Sequence, residues 1–359
     1  MNVIFATWLY DRSLGRSLTK LGERDRLVSY YFLQDQGIED WHLEKYIRTG
    51  RFDPTKKKIK PKNKMTGDSK VDLFLDSGAF SAKSLGKEIK IQEYIDFIKR
   101  NEKFISIYAN LDVIGDQDAT FANQKIMEEA GLKPMPVFHF GEEEQYLDFL
   151  IRKYDYIGLG GMVKSGELRV YLDRIFKRHI CDKDGMPRVK VHGFGMTSFA
   201  HITRYPWYSV DSTSWVLTSR MGSVFVPKRK GGEWLYLDRP HKVAVSSRSP
   251  TQKGDGKHFS TMTGSEQAQV MRYLDAKGFV MGRSHFRKED PSYKLKEGEK
   301  WAEKKVKGMK TREVETIIEP GLSNTYRLRD ELNIIYFQDL EQALPAWPWA
   351  FKTGKDGFL

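Results

Sequence analysis

Short apolar runs rich in β-branched residues alternate with helical patterns through the first two thirds of the chain. Between positions 71 and 211, each run precedes a stretch whose apolar residues recur three and four positions apart, such as Ile91, Tyr94, Ile95 and Ile98. That spacing places an apolar stripe on one face of a helix, which then covers a sheet. Repeated alternation of this kind predicts a parallel α/β sheet or barrel.

Seven strands follow from this pattern, at positions 3–6, 71–75, 104–111, 135–138, 156–159, 189–191 and 208–210. Polar residues or glycines come directly after six of them. These residues are Asp76, Asp112, His139, Gly160 with Gly161, His192 to Gly195, and Asp211. Active sites of (β/α)8 barrels are built from the carboxyl ends of the strands. We therefore predict a (β/α)8 TIM-like α/β barrel rather than an open doubly wound sheet, with its eighth strand still unassigned.

Two stretches depart from the alternation, and both are basic. One is a lysine-rich insertion near positions 50–70, after the first strand, and the other is the C-terminal extension at 223–359. We expect residues 1–222 to form the catalytic barrel core, and the extension to complete the barrel and contribute to nucleic-acid binding. The insertion should lie at the active-site rim. The candidate nucleic-acid contacts are Lys56, Lys57, Lys58, Lys60, Lys62, Lys64, Lys228, Arg229 and Lys230.

The net positive charge of the chain indicates what the basic stretches could bind. The chain has 60 Lys and Arg against 48 Asp and Glu, a formal net charge of +12. Clustered cations gain affinity for polyanions by releasing counterions condensed on phosphates, which indicates a nucleic-acid partner. Trp234 and Trp301 lie among the basic residues of the extension and would allow bases to stack. A solvated basic surface without such a ligand is the alternative.

Several classes of protein do not fit the sequence. Cys181 is the only cysteine, which rules out an intramolecular disulfide and every multi-cysteine zinc site. No stretch approaches the roughly 18 to 20 apolar residues of a bilayer span, so we expect no membrane partner. The first residues lack the basic start of a secretion signal. We expect a cytoplasmic protein, in the host cytoplasm if a phage encodes it, with a monomer as the favoured state.

Five segments carry the candidate chemistry: FLDSGAFS, YANLDVIGD, YIGLGGMV, VHGFGMTS and YSVDSTSW, which contain Asp76, Asp112, Gly160, His192 and Asp211 in this order. Together they resemble the tRNA-guanine transglycosylase superfamily (queuine tRNA-ribosyltransferase-like). The resemblance is greatest to its phage and bacterial branch, which places 7-deazaguanine bases in DNA. It covers residues 71 to 222. It implies a transglycosylase that exchanges guanine in DNA for a base such as 7-cyano-7-deazaguanine.

The resemblance implies a role for each of three aspartates. Asp211 would be the nucleophile that attacks the anomeric carbon, as carboxylates do in retaining glycosidases. Asp76 would be the general acid/base, with Ala79 standing where the family pattern has a second glycine. Asp112 would accept hydrogen bonds from the guanine edge. The implied substrate-binding residues are Asp112, Ser77, Gly78, Phe80, Gly160, Gly161, His192 and Gly193.

Simpler interpretations stand beside these roles. Asp211 could cap a turn, and Gly78 could serve a turn rather than a close backbone approach or a positive φ. His139 and His192 could contact ribose or phosphate, but a buried histidine with satisfied hydrogen bonds is the commoner outcome. Phe80 or Phe194 could sandwich the purine, as aromatic side chains do with flipped bases.

The chain departs from the family in its metal site. The transfer-RNA enzymes carry a structural zinc held by three cysteines and a histidine, which one cysteine cannot reproduce. We therefore expect no zinc and no other cofactor, with the free 7-deazaguanine base as co-substrate and DNA as the polymer. The alternatives are the same exchange on tRNA, a glycosidase or base-excising glycosylase built on paired aspartates, and a non-catalytic nucleic-acid-binding protein.

Overall fold

The chain folds into two compact units. A computed structural model describes residues 1–7, 11–52, 70–162, 167–196, 198–249, 257–306 and 309–352. The first unit comprises Met1–Thr213 and Glu341–Leu359, and the second comprises Ser214–Leu340. The boundary therefore lies nine residues before the expected one at 222/223. The last 19 residues belong to the first unit, so the expected single extension at 223–359 is divided between the two units.

The first unit is built on one eight-stranded parallel sheet. Its strands are β1 (Asn2–Ala6), β2 (Asp25–Ser29), β3 (Asp72–Asp76), β4 (Ile107–Tyr108), β5 (Val137–His139), β6 (Tyr156–Gly160), β7 (Lys190–Gly193) and β8 (Ser209–Ser212). They lie in the order β4-β3-β2-β1-β8-β7-β6-β5. A parallel bridge between Ala109 and Met135, just beyond β4 and just before β5, connects the two edges of this order. The curled sheet and its flanking helices agree with a TIM-like fold.

Helices flank the strands in sequence. They are α1 (Arg12–Lys20), α2 (Tyr30–Asp35), α3 (Asp40–Thr49), α4 (Ala79–Ser84), α5 (Ile91–Asn101), α6 (Gln117–Glu129), α7 (Glu144–Lys153), α8 (Leu168–Ile175) and α9 (Phe199–Ile202). Side chains cap some of their first turns. Asp11 accepts from the amides of Ser13 and Leu14 at α1, and Asp116 accepts from the amide of Ala119 at α6. These contacts satisfy amide groups that have no partner inside the helix.

The eighth strand is β2, which the hydrophobic pattern does not reveal and which lies outside the extension expected to supply it. Arg26 is the second residue of β2 and is completely buried. Its guanidinium donates to Tyr46 Oη at 3.1 Å, to the Gly50 carbonyl at 2.9 Å and to Thr19 Oγ1 at 3.1 Å. These acceptors compensate for the burial of the charge.

The position of β2 also changes the place of the lysine-rich insertion. The stretch follows the second strand of the barrel and not the first, and its lysines at positions 56–64 lie outside the described residues. The Lys70 carbonyl, at its carboxyl flank, accepts from Arg24, which lies just before β2. Because β3 begins at Asp72, this flank lies at the amino ends of the strands, opposite the expected active-site rim.

Apolar clusters of described residues lie on both faces of the sheet in the first unit. One fills the inside of the curled sheet and includes Ile4, Leu27, Phe74, Met135 and Val137. The other packs between the outer face of the sheet and the helices around it. Side chains alternate between these clusters along each strand. The residues at the strand ends that point inward, beyond the apolar layer, are therefore available to form a site at each mouth of the barrel.

The second unit contains helices and small antiparallel sheets. Its elements are α10 (Ser214–Arg220), β9 (Ser223–Val226), β10 (Lys228–Lys230), β11 (Glu233–Leu235), β12 (His241–Ala244), α11 (Gly264–Ala276), β13 (Arg283–Arg287), β14 (Glu299–Val306), β15 (Met309–Glu319) and all but the last three residues of α12 (Tyr326–Ala343). The pairs are β10 with β11 and β9 with β12, and β15 lies between β13 and β14. Within the ranges described above, no helix has the length and apolar character needed to cross a bilayer.

Candidate active site

Three aspartates lie at the carboxyl-terminal mouth of the barrel. Asp76 is the last residue of β3, Asp211 is the third of four residues in β8, and Asp112 follows β4 by four positions. Burial, together with the nearby charges of Asp112 and Asp211, raises the pKa of Asp76 from its ordinary value of 3.8 to about 8. The three carboxylates are therefore close enough to influence one another, although 135 residues separate the first from the last.

Gly78 fixes the backbone immediately after Asp76. Its φ is +82°, in the left-handed region that favours glycine, and its amide donates to Asp76 Oδ2 at 3.1 Å. A Cβ at this position would overlap Ser29 Oγ and Tyr31 Cβ at the neighbouring strand end. Both a positive φ and a close backbone approach therefore require glycine here, as the sequence suggested.

Asp112 is held by two side chains. Ser77 Oγ donates to Oδ1 at 2.7 Å, and His139 Nε2 lies 2.9 Å from Oδ2. The other ring nitrogen of His139 lies 2.9 Å from Glu142 Oε1. The Ser77 hydroxyl therefore donates a hydrogen bond to Asp112. From the sequence we expected it to bind substrate.

His139 is charged in this arrangement. Burial disfavours the imidazolium, but hydrogen bonds and charge interactions with Asp112 and Glu142 outweigh that cost and raise the pKa of His139 to about 9. Both ring nitrogens then carry protons and donate to carboxylates. His139 is thus a buried histidine with satisfied hydrogen bonds, and it orients Asp112 instead of contacting ribose or phosphate.

Asp211 is oriented through one of its two oxygens. The Gly195 amide donates to Oδ1 at 2.7 Å, and His192 Nε2 lies 3.3 Å from the same oxygen. Asp211 is 7% exposed, whereas His192 is completely buried. Solvent does not reach the His192 ring, and its Nδ1 faces Ser209 Oγ at 2.7 Å, so this residue, which we expected to bind substrate, supports Asp211 from behind.

The predicted glycines have different surroundings. A Cβ on Gly193 would lie 3.2 Å from the Trp207 ring, so this glycine leaves room for core packing. A Cβ on Gly160 would lie 3.0 Å from His139 Cδ2, and Gly161 has a φ of +69°. The Gly160–Gly161 pair therefore gives the His139 ring space beside Asp112.

The two candidate aromatic residues also differ. Phe80, the second residue of α4, is 59% exposed and is available to stack on a ligand. Phe194 packs inside the barrel against Phe74 and His192, with ring centroids 5.8 and 4.5 Å away. A Cβ on Gly158 would come within 2.6 Å of its ring. Phe80 is therefore the better candidate for a contact with a base.

The basic candidates of the second unit form one strand of a hairpin. Lys228, Arg229 and Lys230 make up β10 and are all exposed. The Arg229 guanidinium lies 5.4 Å from the ring centre of Trp234 on the paired strand β11. The hairpin thus presents cations beside an aromatic ring, which is a surface suited to nucleic acid.

The sequence analysis missed the residues that support the aspartates. Glu142 follows His139 by three positions and accepts from both its ring and its amide, the latter at 2.8 Å. Ser209 and Tyr156 lie behind His192. The His-x-x-Glu spacing after a strand was the available signal, whereas the contact between β6 and β8 residues had none in the sequence.

Comparison of the chain with models of known protein families, with curated proteins and with solved structures finds no match. Among the residues that the structure describes, no group of three or more His, Cys, Asp or Glu side chains could hold a metal ion.

Proposed function

We propose that this chain exchanges guanine in DNA for a 7-deazaguanine base, such as 7-cyano-7-deazaguanine, through a covalent aspartyl intermediate. The observation that carries the proposal is that two carboxyl groups at the same mouth of the barrel, those of Asp76 and Asp211, have different environments. Asp76 has a pKa raised to about 8 and is mostly protonated at neutral pH. Asp211 accepts a hydrogen bond from the Gly195 amide and lies beside a ring nitrogen of His192. An acid and a nucleophile with such separate environments suit glycosyl transfer.

The first half of the proposed reaction forms the intermediate. An oxygen of Asp211 attacks the anomeric carbon of a deoxyguanosine, and the bond from that carbon to the guanine nitrogen breaks. The proton of Asp76 goes to the departing guanine, so Asp76 becomes a carboxylate. In the second half this carboxylate removes a proton from the incoming 7-deazaguanine. The incoming ring nitrogen then displaces Asp211 from the sugar, and both aspartates return to their starting states.

Recognition of the base is assigned to Asp112. Its two oxygens accept one hydrogen bond each from Ser77 and His139, and each oxygen has a further lone pair. Two neighbouring donors of a guanine edge, the amino group and the ring N–H, match such an acceptor. Because His139 is held on its far side by Glu142, the carboxylate has little freedom to turn away. The site is thereby preorganised for a guanine-type base.

The choice of DNA as the polymer is supported by charge and by cysteine content. The net charge of +12 and the exposed hairpin residues Lys228 to Lys230 favour a polyanion. The single cysteine, Cys181, cannot supply the zinc site of the transfer-RNA enzymes that the motifs resemble. The experiment below distinguishes exchange on DNA from exchange on tRNA and from simple base excision.

The test incubates the full chain with free 7-cyano-7-deazaguanine and, separately, duplex DNA, single-stranded DNA or tRNA. Digestion and mass spectrometry of the nucleosides then measure base exchange. Asp211→Asn should abolish exchange without unfolding the protein, because the amide keeps the shape but lacks the charge needed for attack. Asp118→Asn, which removes an exposed carboxylate from the first turn of α6, is the matched control and should exchange normally.

Each outcome of this test has a defined meaning. Modified nucleosides from DNA alone support the proposal. Modified nucleosides from tRNA alone would show that the substrate is tRNA and not DNA. Release of guanine without a replacement base would indicate a glycosylase. Binding of nucleic acid without exchange or release, or full activity in Asp211→Asn, would overturn the proposed chemistry.

A further inference from the structure

A chain of hydrogen bonds runs inside the barrel to the back of Asp211. Tyr156 Oη lies 2.5 Å from Ser209 Oγ, and Ser209 Oγ lies 2.7 Å from His192 Nδ1. On its other side, His192 Nε2 lies 3.3 Å from Asp211 Oδ1. The chain thus joins side chains of β6, β8 and β7 in turn and ends at the proposed nucleophile.

This hydrogen-bonded chain begins at the opposite mouth of the barrel. Tyr156 and Ser209 are the first residues of β6 and β8, and they line a cavity of about 140 Å³ together with Asp25, Asp72 and Tyr208. Ser209 and His192 are 1% and 0% exposed. Neither can contact a polymeric substrate at the other mouth, so any influence they have on the reaction must pass through Asp211.

One direction of donation along the hydrogen-bonded chain is chemically consistent at every step. Burial raises the pKa of Tyr156 well above its ordinary value, and Tyr208, Asp25 and Asp211 reinforce the shift. The phenol therefore keeps its proton and is able to donate a hydrogen bond to Ser209 Oγ. The serine hydroxyl then donates to His192 Nδ1, which accepts as an unprotonated nitrogen. In a neutral ring with this arrangement, the proton of His192 resides on Nε2.

The surroundings of Nε2 favour the same tautomer. Nε2 is buried and makes no hydrogen bond of good geometry to any residue that the structure describes. Its polar neighbour is Asp211 Oδ1, at 3.3 Å. A bare nitrogen lone pair facing a carboxylate oxygen would be repelled, whereas an N–H group is attracted. Both sides of the ring therefore point to a proton on Nε2.

We propose that Tyr156, Ser209 and His192 are positioning residues, which fix the Nε2–H tautomer of His192 and thereby hold Oδ1 of Asp211 so that Oδ2 attacks. The inference rests on the proposed function for the role of Asp211. Within the described parts of the chain, the hydrogen bond to this carboxylate is made to Oδ1, by the Gly195 amide. An N–H group of His192 directed at Oδ1 from 3.3 Å attracts this oxygen even without a hydrogen bond of ideal geometry, which opposes rotation of the carboxylate and leaves Oδ2 for the sugar.

The first experiment measures the tautomer directly. Nitrogen-15 NMR of the full chain labelled at its 8 histidines distinguishes a protonated from a bare ring nitrogen. The signals of His192 are identified by their loss in His192→Gln. The expected result is a proton on Nε2 and a bare Nδ1 in the wild type. A proton on Nδ1, or on both nitrogens, would overturn the inference.

The second experiment interrupts the series of hydrogen bonds behind Asp211 while leaving Asp211 itself in place. Ser209→Ala removes the hydroxyl that contacts Nδ1 and should give a mixture of the two tautomers of His192. Tyr156→Phe should change the ratio of tautomers in the same direction. Ser209→Thr keeps the hydroxyl and should restore the wild-type spectrum. Tyr208→Phe is the matched control, because Tyr208 lines the same cavity and its hydroxyl takes no part in the chain.

The third measurement separates positioning from folding. In Ser209→Ala, kcat for base exchange should fall roughly tenfold, the size expected for one lost hydrogen bond to a charged group, while KM for both substrates is unchanged. An unaltered spectrum and unaltered kcat in Ser209→Ala would overturn the inference. If no nucleic acid undergoes exchange, the proposed function fails. The NMR spectra then still decide whether the chain of hydrogen bonds fixes the tautomer.

Discussion

The raised pKa of Asp76 predicts that this carboxyl group destabilises the protein as pH rises. In the folded state Asp76 keeps its proton up to about pH 8, whereas in the unfolded chain it loses it near 3.8. Between these values the folded state binds one more proton than the unfolded state, so the free energy of unfolding decreases with increasing pH. Above about pH 8 both states are ionised and the effect is constant.

The magnitude follows from the size of the shift. An interval of about 4 pH units, at about 1.4 kcal/mol for each unit, gives a loss of at most about 6 kcal/mol in the free energy of unfolding. Asp76→Asn removes the titrating group while keeping the shape of the side chain. The variant should therefore become progressively more stable than the wild type from acidic to alkaline pH, although it loses the proposed acid.

Urea denaturation followed by circular dichroism, from about pH 5 to about pH 9, measures this difference. Comparing variants at each pH cancels the titration of the other groups. Asp118→Asn provides the control, because it removes a carboxylate from an exposed helix position and should run parallel to the wild type. A gap between Asp76→Asn and the wild type that stays constant with pH would refute the reasoning.

Four further outcomes are expected. The value of kcat/KM for exchange should fall as pH rises through about 8, because the free enzyme needs protonated Asp76; a flat profile would contradict its role as acid. Asp112→Ala should weaken discrimination for guanine-type bases by about 1 to 3 kcal/mol for each lost hydrogen bond, measured by competition between bases. Gly78→Ala should cost more stability than Gly86→Ala, which has a similar φ of +64° but no atom within 4 Å of its Cβ. Strong chelators should leave exchange unchanged, and activity restored by zinc after chelation would show a metal site.

The hydrophobic pattern was sufficient to predict seven of the eight barrel strands. It failed at β2, where Asp25, Arg26 and Ser29 interrupt the apolar character and only Leu27 and Val28 remain. Arg26 is tolerated because Tyr46, Gly50 and Thr19 accept hydrogen bonds from its guanidinium group. Partners this far away in the chain cannot be read from a local pattern.

The candidate site was predictable to a similar extent. Asp76, Asp112 and Asp211 stand at strand ends in the sequence, and the parallel sheet places those ends at one mouth. His192 and Gly193 share that feature, yet His192 faces Ser209 inside the barrel and Gly193 faces Trp207 in the core. Which way a residue near a strand end points depends on the register of the sheet, and the sequence does not define it.

The shortness of β4 makes one side of the barrel easy to open. Only Ile107 and Tyr108 pair with β3, and a single bridge from Ala109 to Met135 connects to the other edge. Few ladder hydrogen bonds mean a low free energy of local opening, so amide hydrogens here should exchange with solvent earlier than those between β1 and β8. Asp112 lies directly beyond this seam. The imidazolium of His139, which bridges Asp112 and Glu142, should therefore hold the Asp112 carboxylate in place when these backbone hydrogen bonds open.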